Sequence, residues 1–137
     1  MISGLSHITL ISRDLDRMTA ILTGVLDARE VYASGAETFS IAREKFFLIG
    51  DVWLAVMEGD PGRSGGYEHI AFRVADDALE GYRTRIARFG LREQPSRPRV
   101  AGEGASLYFR DDDGHLFELH SGTLEERLAR YAQGRAA

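Results

Sequence analysis

Apolar and polar positions along this chain follow two periods in turn, and the sequence of periods runs twice. Gly4–Ser12 alternates with period two, placing Leu5, His7, Thr9 and Ile11 on one face and Ser6, Ile8 and Leu10 on the other, as a strand does. The period then lengthens. Leu15, Met18, Leu22 and Val25 recur at helical spacing behind Asp14, a candidate N-cap, and Gly24 weakens the end of that helix. Asp27–Ser34 reads as a weaker strand and Gly35–Lys45 as a loop or an irregular hairpin arm. Phe46–Ile49 and Val52–Met57 read as strands around a Gly50-Asp51 turn. Glu58–Gly66, with Pro61 and several glycines, has linker composition.

Past the linker the pattern restarts. Tyr67–Val74 is a predicted strand with Tyr67, His69, Ala71 and Arg73 on one face and Ile70, Phe72 and Val74 on the other. Asp76 or Asp77 can cap a helix whose stripe is Leu79, Tyr82, Ile86 and Phe89, ended by Gly90 as a C′ residue. Leu91–Gln94 is a candidate short strand, and Pro95–Gly104 a loop carrying Arg97 and Arg99. Ser106–His120 follows as a hairpin, and Thr123-x-x-Glu126 is a capping box opening a C-terminal helix to about residue 133. The two helical stripes match residue for residue at a spacing of 64 positions, His7 precedes His69 by 62, and Trp53-Leu54-Ala55 precedes Leu116-Phe117-Glu118 by 63. The chain therefore reads as α+β, one domain over 1–137 built of two βαβββ modules, about 4–58 and 67–121, with the C-terminal helix about 123–133.

The repeat makes Glu118 stand out. It lies inside a strand, among apolar neighbours, where the first copy has Ala55. A strand interior is a costly place for an unpaired carboxylate, so a metal or a cation should compensate it. The hairpin register decides its neighbours. A two-residue turn at Asp113-Gly114 would pair Tyr108 with Leu119, whereas a three-residue loop with Gly114 left-handed would pair Tyr108 with Glu118 and Ser106 with His120. Only the second puts Ser106, Tyr108 and Glu118 on one face, and it is the one expected. His115, just past the turn, is expected to be exposed; His120 is a candidate to support a metal ligand, or simply a strand-end residue.

Composition narrows the chemistry. With 44% hydrophobic and 28% charged residues the chain is of ordinary globular type, and a formal net charge of −4 points away from a nucleic-acid surface. No apolar run approaches membrane-spanning length, and the N-terminus carries no basic, signal-like segment, so a cytoplasmic location with no membrane partner is expected. Cysteine is absent, which excludes disulfides, thiolate zinc and cysteine nucleophiles. A metal would be held by His, Asp or Glu, as suits Mn²⁺, Fe²⁺, Ni²⁺ or Zn²⁺. His7, His69 and Glu118 fall at comparable places in three strands, and two histidines with one carboxylate leave coordination positions open, as a catalytic centre needs. On the residues alone, a strand histidine serves equally as a hydrogen-bonded core residue, and a strand glutamate as an arginine's partner.

A repeated strand–helix–three-strand unit, with His in the first strand of each copy and Glu in the last strand, resembles the vicinal oxygen chelate superfamily. Gly4-Leu5-Ser6-His7-Ile8-Thr9, Tyr67-x-His69, Gly102-Glu103-Gly104-x-Ser106-x-Tyr108-Phe109 and Gly114-His115-x-x-Glu118-x-His120-x-Gly122-x-Leu124-x-x-Arg127-Leu128 resemble the fosfomycin resistance proteins over nearly the whole chain. Ser40-Ile41-Ala42-Arg43-Glu44-Lys45-Phe46-Phe47 is similar to their hydrolase branch. Gly102, where the glutathione-using branch has a serine, argues against a glutathione transferase.

The resemblance implies a Mn²⁺-dependent hydrolase with no thiol cosubstrate, acting on fosfomycin as a homodimer with swapped halves. His7 of one subunit would then join His69 and Glu118 of the other as metal ligands. It implies Glu44 as the base that activates water; without it, Glu44 between Arg43 and Lys45 reads as a solvated charge. It also implies that Thr9 hydrogen-bonds the epoxide oxygen as it opens. The phosphonate would be bound by Arg127, by Arg99 or less favourably Arg97, and by the hydroxyls of Ser106 and Tyr108, with Tyr67, Phe46 and Trp53 walling the pocket. Competing readings keep the substrate but use a thiol, sequester the drug without catalysis, or assign another activity of the superfamily, such as a dioxygenase, with hydrolysis as a side reaction.

Overall fold

The computed structural model describes residues 1–37, 41–62, 65–96, 98 and 101–136. The sequence readings at Arg97, Arg99 and Ser40 lie outside the described residues. The chain divides into two compact units, Met1–Ser64 and Gly65–Ala137.

The first unit runs β1 (Ile8–Ser12), α1 (Leu15–Val25), β2 (Arg29–Ala33), β3 (Glu44–Ile49) and β4 (Val52–Glu58), its sheet ordered β1-β4-β3-β2. The Asp14 carboxylate accepts the Arg17 amide at 3.0 Å and caps α1, whose Leu15, Met18, Leu22 and Val25 are all buried, with Ile21 between them. They pack with Phe47, Leu54 and Val56 into a core where each is no more than 2% exposed apart from Leu15. Each such side chain contributes about 1.5–3 kcal/mol of burial. Strand parity assigns the faces of β3. Lys45 donates to Thr19 of α1 at 3.1 Å, so Lys45, Phe47 and Ile49 face the helix, and Glu44, Phe46 and Leu48 face the opposite way.

The second unit repeats the plan: β5 (His69–Arg73), a 3₁₀ turn (Asp76–Ala78), α2 (Leu79–Arg88), β6 (Glu93–Gln94), β7 (Ser106–Arg110), β8 (Leu116–His120) and α3 (Leu124–Ala136), with the sheet ordered β5-β8-β7-β6. Leu107, Phe109, Phe117, Leu119 and Ile86 form its core, with the Phe109 and Phe117 rings stacked at 5.5 Å. The two units agree in register. Thr9 lies opposite Ala55 and Ala55 opposite Phe46; correspondingly Ala71 lies opposite Glu118 and Glu118 opposite Tyr108. Glu44, opposite Met57, occupies the place that Ser106, opposite His120, holds in the second sheet.

Several elements differ from their sequence reading. β1 starts at Ile8 rather than Gly4: its parallel pairing with β4 begins with Ile8 opposite Leu54, and Leu5 is 72% exposed. β5 starts at His69 rather than Tyr67, its partner Leu116 being the first residue of β8. Glu44 and Lys45 belong to β3, not to a loop, since Glu44 pairs with Met57. Neither Asp76 nor Asp77 caps α2: the 3₁₀ turn intervenes, and Asp76 accepts the Ser121 hydroxyl at 3.0 Å instead. The strand read at Leu91–Gln94 shrinks to Glu93–Gln94, and α3 continues to Ala136 behind the Thr123–Glu126 capping box.

His115 is not exposed. It is half-buried, with Nδ1 2.6 Å from the buried Asp111 carboxylate, which also accepts the amides of Asp113 and His115. These bonds close a three-residue loop over Asp112–Gly114 in which Gly114 is left-handed at φ 91°, and they set the register of Tyr108 on Glu118 and Ser106 on His120. Among the described residues, no helix is long and apolar enough to cross a membrane.

Candidate active site and metal centre

The sheet of the second unit has one face covered by core and α2, and the other carries the chemistry. Alternation along β8 turns Phe117 and Leu119 into the core and sends Glu118 and His120 to the opposite side. There the buried Glu118 presents Oε1 to His69 Nε2 at 2.9 Å. The His69 Nδ1 lies 2.7 Å from the Tyr67 carbonyl, which can only accept, so Nδ1 carries the proton. That bond leaves Nε2 as the ligating nitrogen, the tautomer a metal-binding imidazole needs. A nitrogen lone pair and a carboxylate oxygen facing each other at this distance require a proton or a cation between them. The donor set therefore fits a divalent metal. Histidine nitrogen with carboxylate oxygen suits Mn²⁺, Fe²⁺ or Zn²⁺.

Glu118 is held from its other side. Ser106 Oγ donates to Oε2 at 2.6 Å, and His120 Nδ1 lies 2.8 Å from the same Ser106 oxygen and 3.3 Å from Oε2. Burial alone would raise the Glu118 carboxyl; the Ser106 and Tyr108 hydroxyls and the His120 and His69 imidazoles outweigh it and hold the group below the ordinary glutamate value. Arg127, in the first turn of α3, donates from Nη2 to His120 Nε2 at 3.1 Å. His69, Ala71, Glu118, His120, Leu124 and Arg127 line a cavity of about 310 Å³, large enough for a small anion. Tyr108, 2% exposed, has its hydroxyl 3.3 Å from that of Tyr67, and the two rings flank His69 at 5.4 and 5.0 Å.

The first unit also has a chemical face opposite its helix. His7 sits one residue before β1, its Nδ1 2.9 Å from the Ser6 hydroxyl and its ring 4.2 Å from that of Trp53. Phe46 meets Trp53 edge-on at 5.2 Å and Tyr32 at 4.9 Å. Thr9 is exposed on the same side, in the row of Ala55 and Phe46. Trp53 Nε1 is buried and has no hydrogen-bond partner among the described residues. Glu44 is half-buried on this face, and neither adjacent cation neutralises it: Arg43 pairs with Glu58 at 3.0 Å, and Lys45 with Glu30 at 2.9 Å on the helix side.

The structure thus gathers His69, Glu118, Ser106, Tyr108, Tyr67 and Arg127 on one sheet face, and His7, Thr9, Glu44, Trp53 and Phe46 on the other unit's. Ser106, expected to contact the anion, gives its hydroxyl proton to Glu118, a buried carboxylate being a strong acceptor. Sequence reasoning missed the Tyr67 carbonyl, a backbone group with no residue signature, and the Asp111–His115 pair, whose i, i+4 spacing becomes a contact only when the loop closes. Asp111, Asp113 and His115 also bring ligand atoms within 4.8 Å of one another, but their hydrogen bonds serve the hairpin loop.

The profile of the Glyoxalase/Bleomycin resistance protein/Dioxygenase superfamily matches residues 4–119. The fosfomycin resistance protein FosX of Mesorhizobium japonicum is 60% identical over 134 residues, 98% of this chain and 96% of that protein. The metallothiol transferase FosB of Shouchella clausii is 37% identical over 96% of this chain and 88% of its own. A crystal structure of a glutamate-to-glutamine mutant of FosX from Listeria monocytogenes, complexed with Mn(II) and 1S,2S-dihydroxypropylphosphonic acid, is 52% identical, covers 96% of this chain and 99% of that one, and has a TM-score of 0.87. The chain belongs to the glyoxalase/bleomycin resistance/dioxygenase superfamily, the vicinal oxygen chelate fold, and within it to the FosX fosfomycin resistance proteins.

Proposed function

We propose that this protein is a Mn²⁺-dependent hydrolase that confers fosfomycin resistance by opening the drug's epoxide with water. The observation that carries the reading is the pair formed by His69 Nε2 and Glu118 Oε1, each oriented by a hydrogen bond on its far side. The Listeria FosX was crystallised with a vicinal diol phosphonate, the product expected when water opens fosfomycin's epoxide. The identity gap between the FosX and FosB relatives favours water over a thiol as nucleophile.

His69 and Glu118 would hold the metal with His7, which we assign to the other subunit of a homodimer with swapped halves. When bound, the metal supplies Lewis-acid polarisation of the epoxide oxygen and charge for a phosphonate oxygen. The remaining work falls to the chain. Arg127 has guanidinium N–H groups beyond the one on His120 and binds the phosphonate. Tyr108 holds Glu118 and Tyr67 in place, and Tyr67, Trp53 and Phe46 exclude bulk water. Glu44 takes a proton from the water that attacks the carbon bearing the phosphonate, and Thr9 donates to the oxygen released from the ring. Arg99 is a second proposed anion contact.

The dimer is supported by α3, where Leu124 and Leu128 are 71% and 57% exposed on one stripe, an apolar surface that a second subunit would cover. ³¹P NMR of fosfomycin with protein and Mn²⁺, with and without glutathione, tests the reading. The diol resonance should appear at the same rate in both samples. Turnover only with the thiol would assign the protein to the transferases; no turnover in either, with the drug bound, would make it a sequestering protein.

A further inference from the structure

We propose that His120 is a positioning residue that sets which oxygen of Glu118 is offered to the metal; the proposal rests on the reading of His69 and Glu118 as metal ligands. Four side chains of the second unit form one directed chain. Arginine carries only donors, so the 3.1 Å contact between Arg127 Nη2 and His120 Nε2 makes Nε2 the acceptor. The proton of the neutral ring is then on Nδ1, which donates to Ser106 Oγ at 2.8 Å. A hydroxyl has one proton. With its oxygen accepting from His120, Ser106 turns that proton onto Glu118 Oε2 at 2.6 Å. Oε2 is thereby occupied, and Oε1 is the oxygen left facing His69 Nε2 at 2.9 Å. Glu118 is prepared as a ligand through one oxygen.

The ring of His120 is held where this requires. Gly122 lies against it so closely that a Cβ there would be 2.9 Å from His120 Nε2 and 2.6 Å from the Glu103 carbonyl. Residue 122 therefore has no room for a side chain between the ring and the Glu103 carbonyl. The chain also joins two tasks assigned to different residues. Arg127 is the proposed phosphonate contact, and Glu118 the metal ligand; through His120 and Ser106 the anion-binding guanidinium and the metal-binding carboxylate are oriented by the same hydrogen bonds. Arg127 thus acts on the metal site without touching it.

Two readouts test this, and neither is turnover. In the metal-free, ¹⁵N-labelled dimer, long-range ¹H–¹⁵N spectra should show His120 as the Nδ1–H tautomer, and Arg127→Met should remove that preference while Ser106→Ala keeps it. Mn²⁺ affinity, read from the free-ion EPR signal, should fall by about 10–100-fold in Ser106→Ala and His120→Phe, the range typical of lost partners to a metal ligand. His120→Asn, whose amide N–H replaces Nδ1–H toward Ser106, should restore affinity to within a few-fold of the parent. Ser106→Ala removes one oxygen only and serves where His120→Phe fails to fold. An Nε2–H tautomer in the parent protein overturns the proposal, as does undiminished Mn²⁺ affinity in both Ser106→Ala and His120→Phe. A parent protein with the Nδ1–H tautomer that binds no Mn²⁺ overturns the metal-centre reading instead.

Discussion

His69 Nε2 and Glu118 Oε1 face each other at 2.9 Å, the one on a strand end held by the Tyr67 carbonyl, the other buried at the centre of the sheet. With Nδ1 committed as a donor, this contact needs positive charge between the two atoms. Stripping the protein with EDTA should abolish fosfomycin hydration, and Mn²⁺ should restore it with no response to glutathione. Bound metal should also stabilise the fold, by about 2.7 kcal/mol at a hundredfold its Kd. A thermal melt with and without Mn²⁺ reads this directly, and an unchanged Tm at saturating metal would count against a site in the folded chain.

Glu118 gives the protein a particular acid sensitivity. Its carboxyl is held below the ordinary value, burial being outweighed by the Ser106 and Tyr108 hydroxyls and the two imidazoles. A carboxyl depressed in the folded state contributes stability above its unfolded pKa and loses it as pH falls through the folded one. Ser106→Ala removes the largest of the lowering contacts. The variant should be less stable at neutral pH by about 1.5–3 kcal/mol, the worth of a hydrogen bond to a charged group. Its acid transition should also begin at higher pH than the parent's. Urea melts at a series of pH values from neutral downward compare the two curves.

Glu44→Gln is the test of the base. It keeps the size and the β3 pairing with Met57 but cannot accept a proton. Hydration should slow by about 10²–10⁴-fold with Mn²⁺ affinity and Tm unchanged. Should hydration persist at the parental rate, the proton is taken elsewhere.

Gly104 and Gly122 bring two loops into contact just ahead of α3. Gly104 has φ +77°, and a Cβ there would lie 2.5 Å from the Gly122 nitrogen, a backbone atom that cannot swing aside. Gly104→Ala should cost about 1–3 kcal/mol through backbone strain alone, and more through the overlap. Because Gly122 leads into the helix that carries Arg127, the KM for fosfomycin should rise as well. Gly35→Ala, at φ +61° with nothing within 4 Å of its Cβ, carries the strain without the overlap and should leave KM alone.

Much of this architecture was legible from local pattern. The stripe of Leu15, Met18, Leu22 and Val25, the Asp14 cap, the Thr123–Glu126 box and the turn at Gly114 each depend on residues a few positions apart, where periodicity and backbone preference decide the outcome. The duplication was legible too, because the apolar positions of the two helices recur at the same spacing, although only Leu79 and Ile86 of the second stripe are buried. From it came the contrast between Ala55 and Glu118, and from the hairpin loop came the pairing of Tyr108 with Glu118.

What tertiary structure alone decided depends on contacts between residues far apart in the chain. Where β5 begins was set by where β8 offers its first residue, Leu116, as a partner, not by alternation, which continues upstream at Tyr67. Glu44 became a strand residue because Met57 pairs with it, and its sequence neighbours Arg43 and Lys45 pair with Glu58 and Glu30 instead. The tautomer of His69 is set by the carbonyl of Tyr67, a group every residue carries and no sequence pattern marks. Ser106 gives its proton to Glu118, a buried carboxylate that the β7–β8 register brings within 2.6 Å of it. Local chemistry placed the acid in the hairpin; long-range packing determined what holds each of its oxygens.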